Sequence, residues 1–93
     1  MIYSVRMTSI AEKEFKKIPE YLQVKLLVWA KAVEDGQMKK LRGSIGLNDE
    51  ALTGDRKGQR SIRLNKAYRA FYTESANGEL TIVEIFSVNK HKY

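Results

Sequence analysis

Hydrophobic and polar positions alternate from residue 2 to residue 7, with Tyr3, Val5 and Met7 on one side and Ser4 and Arg6 on the other. That two-residue period predicts a half-buried strand. Ser9-Ile10-Ala11-Glu12 then has the S-x-x-E spacing of a capping box, and Ala11, Phe15 and Ile18 follow at i, i+4 and i+7. A first helix is therefore expected over residues 9 to 18. Pro19 ends it, because the proline ring clashes with the preceding turn, yet proline is acceptable in the first turn of a following helix. Leu22, Leu26, Trp29, Ala30 and Val33 make an apolar stripe over residues 20 to 34, with Asp35-Gly36 after it. This is a second amphipathic helix with a glycine stop.

Between residues 37 and 59 the periodicity disappears, and four of the six glycines (Gly43, Gly46, Gly54 and Gly58) fall there. A long functional loop is expected. Alternation returns over residues 60 to 65, with Ile62 and Leu64 on one face and Ser61, Arg63 and Asn65 on the other; residues 68 to 74 read as the hairpin partner across a short turn at Lys66. Asn77-Gly78 offers a second turn, and residues 80 to 86 are apolar on both faces, as a strand inside a sheet would be. The order β-α-α-β-β-β predicts an α+β fold: a helical hairpin packed on one face of a mostly antiparallel sheet, in one domain over residues 1 to 93.

Composition narrows the function classes. The chain has 93 residues, 43% hydrophobic and 30% charged, which suits one small packed domain and is too apolar for disorder. Seventeen Lys and Arg against eleven Asp and Glu give a net charge of +6. A polyanion, RNA first, is the expected partner. With no cysteine and one histidine, neither a disulfide framework nor a thiolate or His-paired metal centre can be built, so no metal and no cofactor are expected. The longest apolar run, residues 26 to 30, is far short of the roughly 20 residues that cross a bilayer, and the N-terminus lacks the charged-then-apolar order of a signal peptide. No membrane partner and a cytoplasmic location follow. Walker, G-x-G-x-x-G and G-x-S-x-G patterns are missing, which removes NTPase, dinucleotide and serine-hydrolase readings.

The positive charge is unevenly placed. Residues 1 to 38 hold six Lys or Arg and five Asp or Glu, whereas residues 39 to 93 hold eleven and six. Arg56, Lys57, Arg60, Arg63, Lys66 and Arg69 follow one another without an intervening acid. Strand parity sends Arg63 to the face opposite Ile62 and Leu64, so a sheet covered by helices on one side would be basic on the other and would attract phosphates. The alternative is a solvated cationic face that serves only solubility.

Candidate proton-transfer groups are few. The chain ends Ser87-Val88-Asn89-Lys90-His91-Lys92-Tyr93, which sets its one imidazole between two ammonium groups and beside a phenol. Asp49, Glu50 and Asp55 are the acids of the long loop; their spacing fits no known cation loop. RNA carries its own nucleophile, the 2′-hydroxyl. A metal-free ribonuclease needs only a base for that proton, cations for the pentacoordinate phosphorus and an acid for the departing 5′-oxygen. All three residue types are present, although the same composition suits a non-catalytic binder.

The stretch Glu50-Ala51-Leu52-Thr53-Gly54-Asp55-Arg56-Lys57-Gly58-Gln59-Arg60-Ser61-Ile62-Arg63-Leu64-Asn65, followed by Tyr68-Arg69-Ala70-Phe71-Tyr72, resembles the RelE/ParE toxin superfamily, and within it the HigB branch with its L-x-G-D-R-x-G-x-x-S-I-R-[VIL]-N pattern. Tyr3-Ser4-Val5, Ala11-Glu12-Lys13 and the closing His91-Lys92-Tyr93 are similar to the family's two ends. The resemblance implies the toxin of a type II toxin-antitoxin pair, an mRNA interferase that cleaves mRNA in the ribosomal A site and is held inactive by a helix-turn-helix antitoxin of the HigA type. It further implies phosphate-binding and transition-state roles for Arg63 and Arg69, and proton transfer or stacking by His91 and Tyr93. Glu50 matches the base of the YoeB branch. Thr53 stands where many HigB sequences carry a lysine, which leaves Glu50 and Lys57 as candidate bases. Arg56, Lys57, Arg60, Lys66, Lys90 and Lys92 are the expected contacts to mRNA and ribosomal RNA. Two other functions share this scaffold: a ParE-like gyrase poison, and a ribosome-binding module without catalysis. Arg69 also has a purely structural reading, as a cross-strand partner of Glu84. Tyr68, Tyr72 and Trp29 are expected in the core.

Overall fold

A computed structural model describes residues 2 to 90. Strand β1 (Ile2–Met7) is followed by helices α1 (Ser9–Phe15), α2 (Glu20–Glu34) and α3 (Met38–Arg42), then by strands β2 (Glu50–Ala51), β3 (Gln59–Arg63), β4 (Tyr68–Asn77) and β5 (Leu80–Lys90). The described strands form one sheet in the order β1-β5-β4-β3-β2. Its pairs are antiparallel except β1 with β5, where Ile2 faces Leu80 and Met7 faces Ile85 in parallel register. A parallel neighbour needs a crossover, and the three helices after β1 belong to it. β5 accordingly has a strand on each side, with one face in the core and the other half-buried.

The core lies between the helices and one face of the sheet. Leu22, Leu26, Trp29 and Val33 bring the stripe of α2 down onto Ile62, Ala70, Tyr72, Val83, Ile85 and Val88, all buried. Trp29 and Tyr72 pack as a tilted aromatic pair with centroids 5.1 Å apart. Tyr68 lies against the same cluster. β1 contributes Tyr3, Val5 and Met7, the alternate residues that the sequence period selects.

Four local features depart from the sequence expectation. The first helix is capped by Thr8, not Ser9: Thr8 is extended and its hydroxyl accepts from the Ala11 N–H at 3.1 Å, one residue ahead of the expected box. It also stops at Phe15, three residues early. The residue before a proline avoids the helical region, so the chain tightens into turns ahead of Pro19, whose own carbonyl accepts from Leu22 and Gln23 to start α2. The expected long loop contains α3, β2 and a 3₁₀ turn over Gly54–Arg56. A single helical turn that buries Met38 and a strand of two residues are both too short to show a period. Finally, β4 and β5 run longer than expected, and Gly78 at φ +66° opens the turn between them.

Candidate active site

Parity along β3 turns Ile62 into the core and leaves Ser61 and Arg63 on the sheet face away from it. β4 pairs with β3 so that Arg69 stands opposite Arg63 and Phe71 opposite Ser61. On its other side, Arg69 faces Asn89 and Phe71 faces Ser87. A register irregularity between Phe71 and Tyr72 lets Ile85 and Val88 both point into the core while Ser87 and Asn89 stay on the open face. Two arginines directly opposite one another on neighbouring strands repel.

The open face is enclosed at both sides. β1 ends opposite Ile85, so the Val88 N–H has no strand neighbour beyond it; the Glu14 carboxylate of α1 accepts from that N–H at 2.9 Å and from the Ser87 hydroxyl at 3.1 Å. Across the face, β2 and the 3₁₀ turn bring up Glu50, Leu52 and Arg56. The result is a hollow of about 710 Å³ lined by Glu14, Glu50, Leu52, Arg56, Ser61, Arg69, Phe71, Asn89 and Lys90. Volumes of this order hold small ligands.

Arg69 forms its floor. The residue is only 8% exposed. Its Nε and Nη2 donate to the Ser61 hydroxyl at 3.2 and 2.8 Å, and Nη2 also donates to the Asn48 carbonyl at 3.3 Å. Those acceptors are neutral, so they fix the guanidinium plane without cancelling its charge. Among the described residues its nearest anion is Glu50, whose Oε1 lies 3.6 Å from Nη2 with the side chain 55% exposed. A carboxylate open to solvent beside a buried, preorganised cation can accept a proton from a group that the cation holds. Arg56 lies over the Phe71 ring at 4.6 Å and donates to Gln59 Oε1 at 2.8 Å, so one cation is already stacked on the aromatic residue among the described lining residues.

Several expected site residues fall elsewhere. Arg63 is exposed on the same face beside the hollow without lining it. Lys90 does line it, at the last described residue, and His91, Lys92 and Tyr93 lie outside the described residues. Lys57 and Lys66 are exposed in turns away from the lining. Arg60 is not on the basic face at all. It pairs across β4 with Tyr72, points to the helix-covered side, and donates from Nε to Asp49 Oδ1 at 2.9 Å. The reading of Arg69 as a partner of Glu84 is overturned, because Glu84 bonds Arg6 at 3.1 Å and stands opposite Thr73, whereas Arg69 stands opposite Asn89. Sequence reasoning missed Glu14, Asn89, Phe71 and the acceptor role of Ser61. Phe71 and Asn89 share the face of Arg69 by simple parity, but Glu14 required knowing that β1 stops short of Val88.

The α+β domain, a five-stranded sheet with helices packed on it, has the fold of the RelE- and YoeB-like toxins. It aligns at a TM-score of 0.69 and 22% identity, over 98% of this chain and 100% of the other, with a chain of the RelBE2 toxin-antitoxin complex of Mycobacterium tuberculosis. The YoeB dimer of Staphylococcus aureus gives 0.70 and 21% over the full length of both chains. The DinJ-YafQ toxin-antitoxin complex of E. coli gives 0.71 and 15%, over 98% and 94%. No family model matches the sequence, and no curated protein matches it.

Proposed function

We propose that the protein is the toxin of a type II toxin-antitoxin pair, close to the HigB branch, and that it cleaves mRNA in the ribosomal A site without a metal. The observation that carries this reading is Arg69, nearly buried and held by neutral acceptors, with the exposed Glu50 carboxylate 3.6 Å away in a nucleotide-sized hollow. Glu50 removes the 2′-hydroxyl proton; the 2′-oxygen attacks phosphorus while Arg69, with Arg63 beside it, neutralises the added charge on the phosphorane. The P–O5′ bond breaks, the 5′-oxygen takes a proton from the tail, with His91 as the donor, and the products are a 2′,3′-cyclic phosphate and a 5′-hydroxyl. Tyr93 assists that transfer or stacks on the message. Lys57 stands outside the lining, which favours Glu50 as the base. Arg56, Lys90 and Lys92 track the RNA backbone. A helix-turn-helix antitoxin, expected from the motif resemblance, holds the enzyme inactive.

Arg69→Lys tests this. A lysine keeps the charge but cannot hold Ser61 and the phosphate together. Single-turnover cleavage on programmed ribosomes is expected to fall roughly 100-fold or more, and Glu50→Gln is expected to do the same. Intact message with inhibited gyrase supercoiling would overturn the proposal.

A further inference from the structure

β2 separates two carboxylates by parity. Glu50 stands opposite Ser61 and faces the hollow, while Asp49, one residue earlier, turns to the helix-covered side. The Asp49 side chain is 0% exposed. Its Oδ1 accepts from Arg60 Nε at 2.9 Å and its Oδ2 accepts from the Tyr72 hydroxyl at 2.5 Å, with Arg42 Nε of α3 3.9 Å away. Arg42 in turn pairs with Glu74. The neighbouring residues are tied to β3 and β4: the Leu47 carbonyl accepts from the Arg63 N–H at 2.7 Å, the Asn48 carbonyl accepts from Arg69, and the Leu52 N–H donates to the Gln59 carbonyl. Asn48 takes φ +43°, a left-handed conformation that a non-glycine residue holds only when its surroundings fix it. A two-residue strand has too few ladder bonds to fix its own register, so the buried anchor does so.

We propose that Asp49 is a positioning residue: by locking β2 from beneath the sheet, through Arg60 and Tyr72, it holds the Glu50 carboxylate against Arg69 on the face above. The inference rests on the reading of Glu50 as the base. A carboxylate with two charged or phenolic donors on it is a stiff anchor, and a displacement of about 1 Å at the reacting group costs on the order of 100-fold in rate. The sequence offers no hint of this division, because Asp49 and Glu50 are adjacent acids with equal claims to the chemistry.

The test is a double-mutant cycle with the full chain on programmed ribosomes. Asp49→Asn keeps the shape and removes the charge. It is expected to lower kcat roughly 10- to 100-fold while the KM for ribosomes stays unchanged, and to add nothing in a Glu50→Gln background, since an anchor acting through Glu50 has nothing left to position. Tyr72→Phe, which removes one of the two donors and leaves the ion pair, is expected to show the same pattern more weakly. Hydrogen exchange of the Arg63 and Leu52 amides, measured on the free protein, is expected to quicken in both variants. Equal losses from Asp49→Asn with and without Glu50, or a changed KM with unchanged kcat, would overturn the proposal. So would unchanged amide exchange, whatever the activity. A Glu50→Gln variant of full activity would instead sink the assignment of the base, and the positioning role with it.

Discussion

At the scale of single residues, the chain uses arginine in two unlike ways. Arg69 is buried against neutral oxygens with its charge left for a ligand, whereas Arg60, only half-buried, is bonded to the buried Asp49 carboxylate and neutralised. Both read alike in the sequence as members of one cationic run. Parity alone separates them, and it is decisive only once the strand boundaries are known. Burial lowers the tendency of Arg60 to stay charged, but the bond and attraction to Asp49 outweigh it and raise its pKa above the ordinary value. Burial first, then the bond to Asp49, likewise raises the Tyr72 hydroxyl above its ordinary 10.0. A raised folded-state pKa means that the stabilisation is complete below the unfolded value and disappears as pH climbs through the folded one. The stability advantage of the native protein over Tyr72→Phe is therefore expected to stay constant up to about pH 10 and to shrink above it. Urea titrations on both proteins across that range would check this, and an advantage that grows with pH would refute it.

Elements explain which parts of the architecture were legible. α2 spans Glu20–Glu34 in the structure, the range its stripe predicts, because fifteen residues give the 3.6-residue period room to repeat. β1 matches for the same reason at a period of two. α3 and β2 are not visible because neither is long enough to repeat its period. The outer parts of β4 and β5 escape because Ser75, Asn77, Ser87, Asn89 and Lys90 are polar and break the apolar pattern; pairing between the two strands carries them on, with Val88 reaching the core. The cap of α1 shows how a good local signal loses to tertiary context. Ser9 has the better box spacing, yet Thr8 already sits in extended backbone, its N–H bonded to Ile85 and its hydroxyl within 3.4 Å of the Phe86 carbonyl. Thr8→Ala is expected to destabilise the fold by about 1 kcal/mol, lowering Tm by roughly 4–8 °C in a domain of this size. Ser9→Ala is expected to be near neutral. Differential scanning calorimetry distinguishes the two, and the reverse order would reassign the cap.

For the molecule as a whole, the question is where the excess charge acts. One sheet face is occupied by helices and apolar side chains, so cations that parity sends there, such as Arg60, are consumed internally, and Arg6 at the far strand is paired with Glu84. On the uncovered sheet face a polyanion would meet Arg69 and Arg56 in the hollow, Lys90 at its rim and Arg63 alongside. Association with RNA releases about 0.7 counterions per neutralised phosphate in single strands, so each cation that touches a phosphate steepens the dependence of affinity on salt. Replacing Arg63 by Gln should reduce the slope of log K against log salt by about 0.7 and leave the thermal transition almost unmoved, because the side chain is exposed. Arg60→Gln should do the opposite, leaving the slope alone and lowering Tm by stripping the buried Asp49 of its charged partner. Binding isotherms to a short single-stranded RNA at several salt concentrations, paired with melting curves, read both quantities from the same two proteins. If Arg60→Gln flattened the salt dependence as much as Arg63→Gln, the polyanion would be approaching the side that the helices occupy, and the hollow above Arg69 would lose its claim to the RNA.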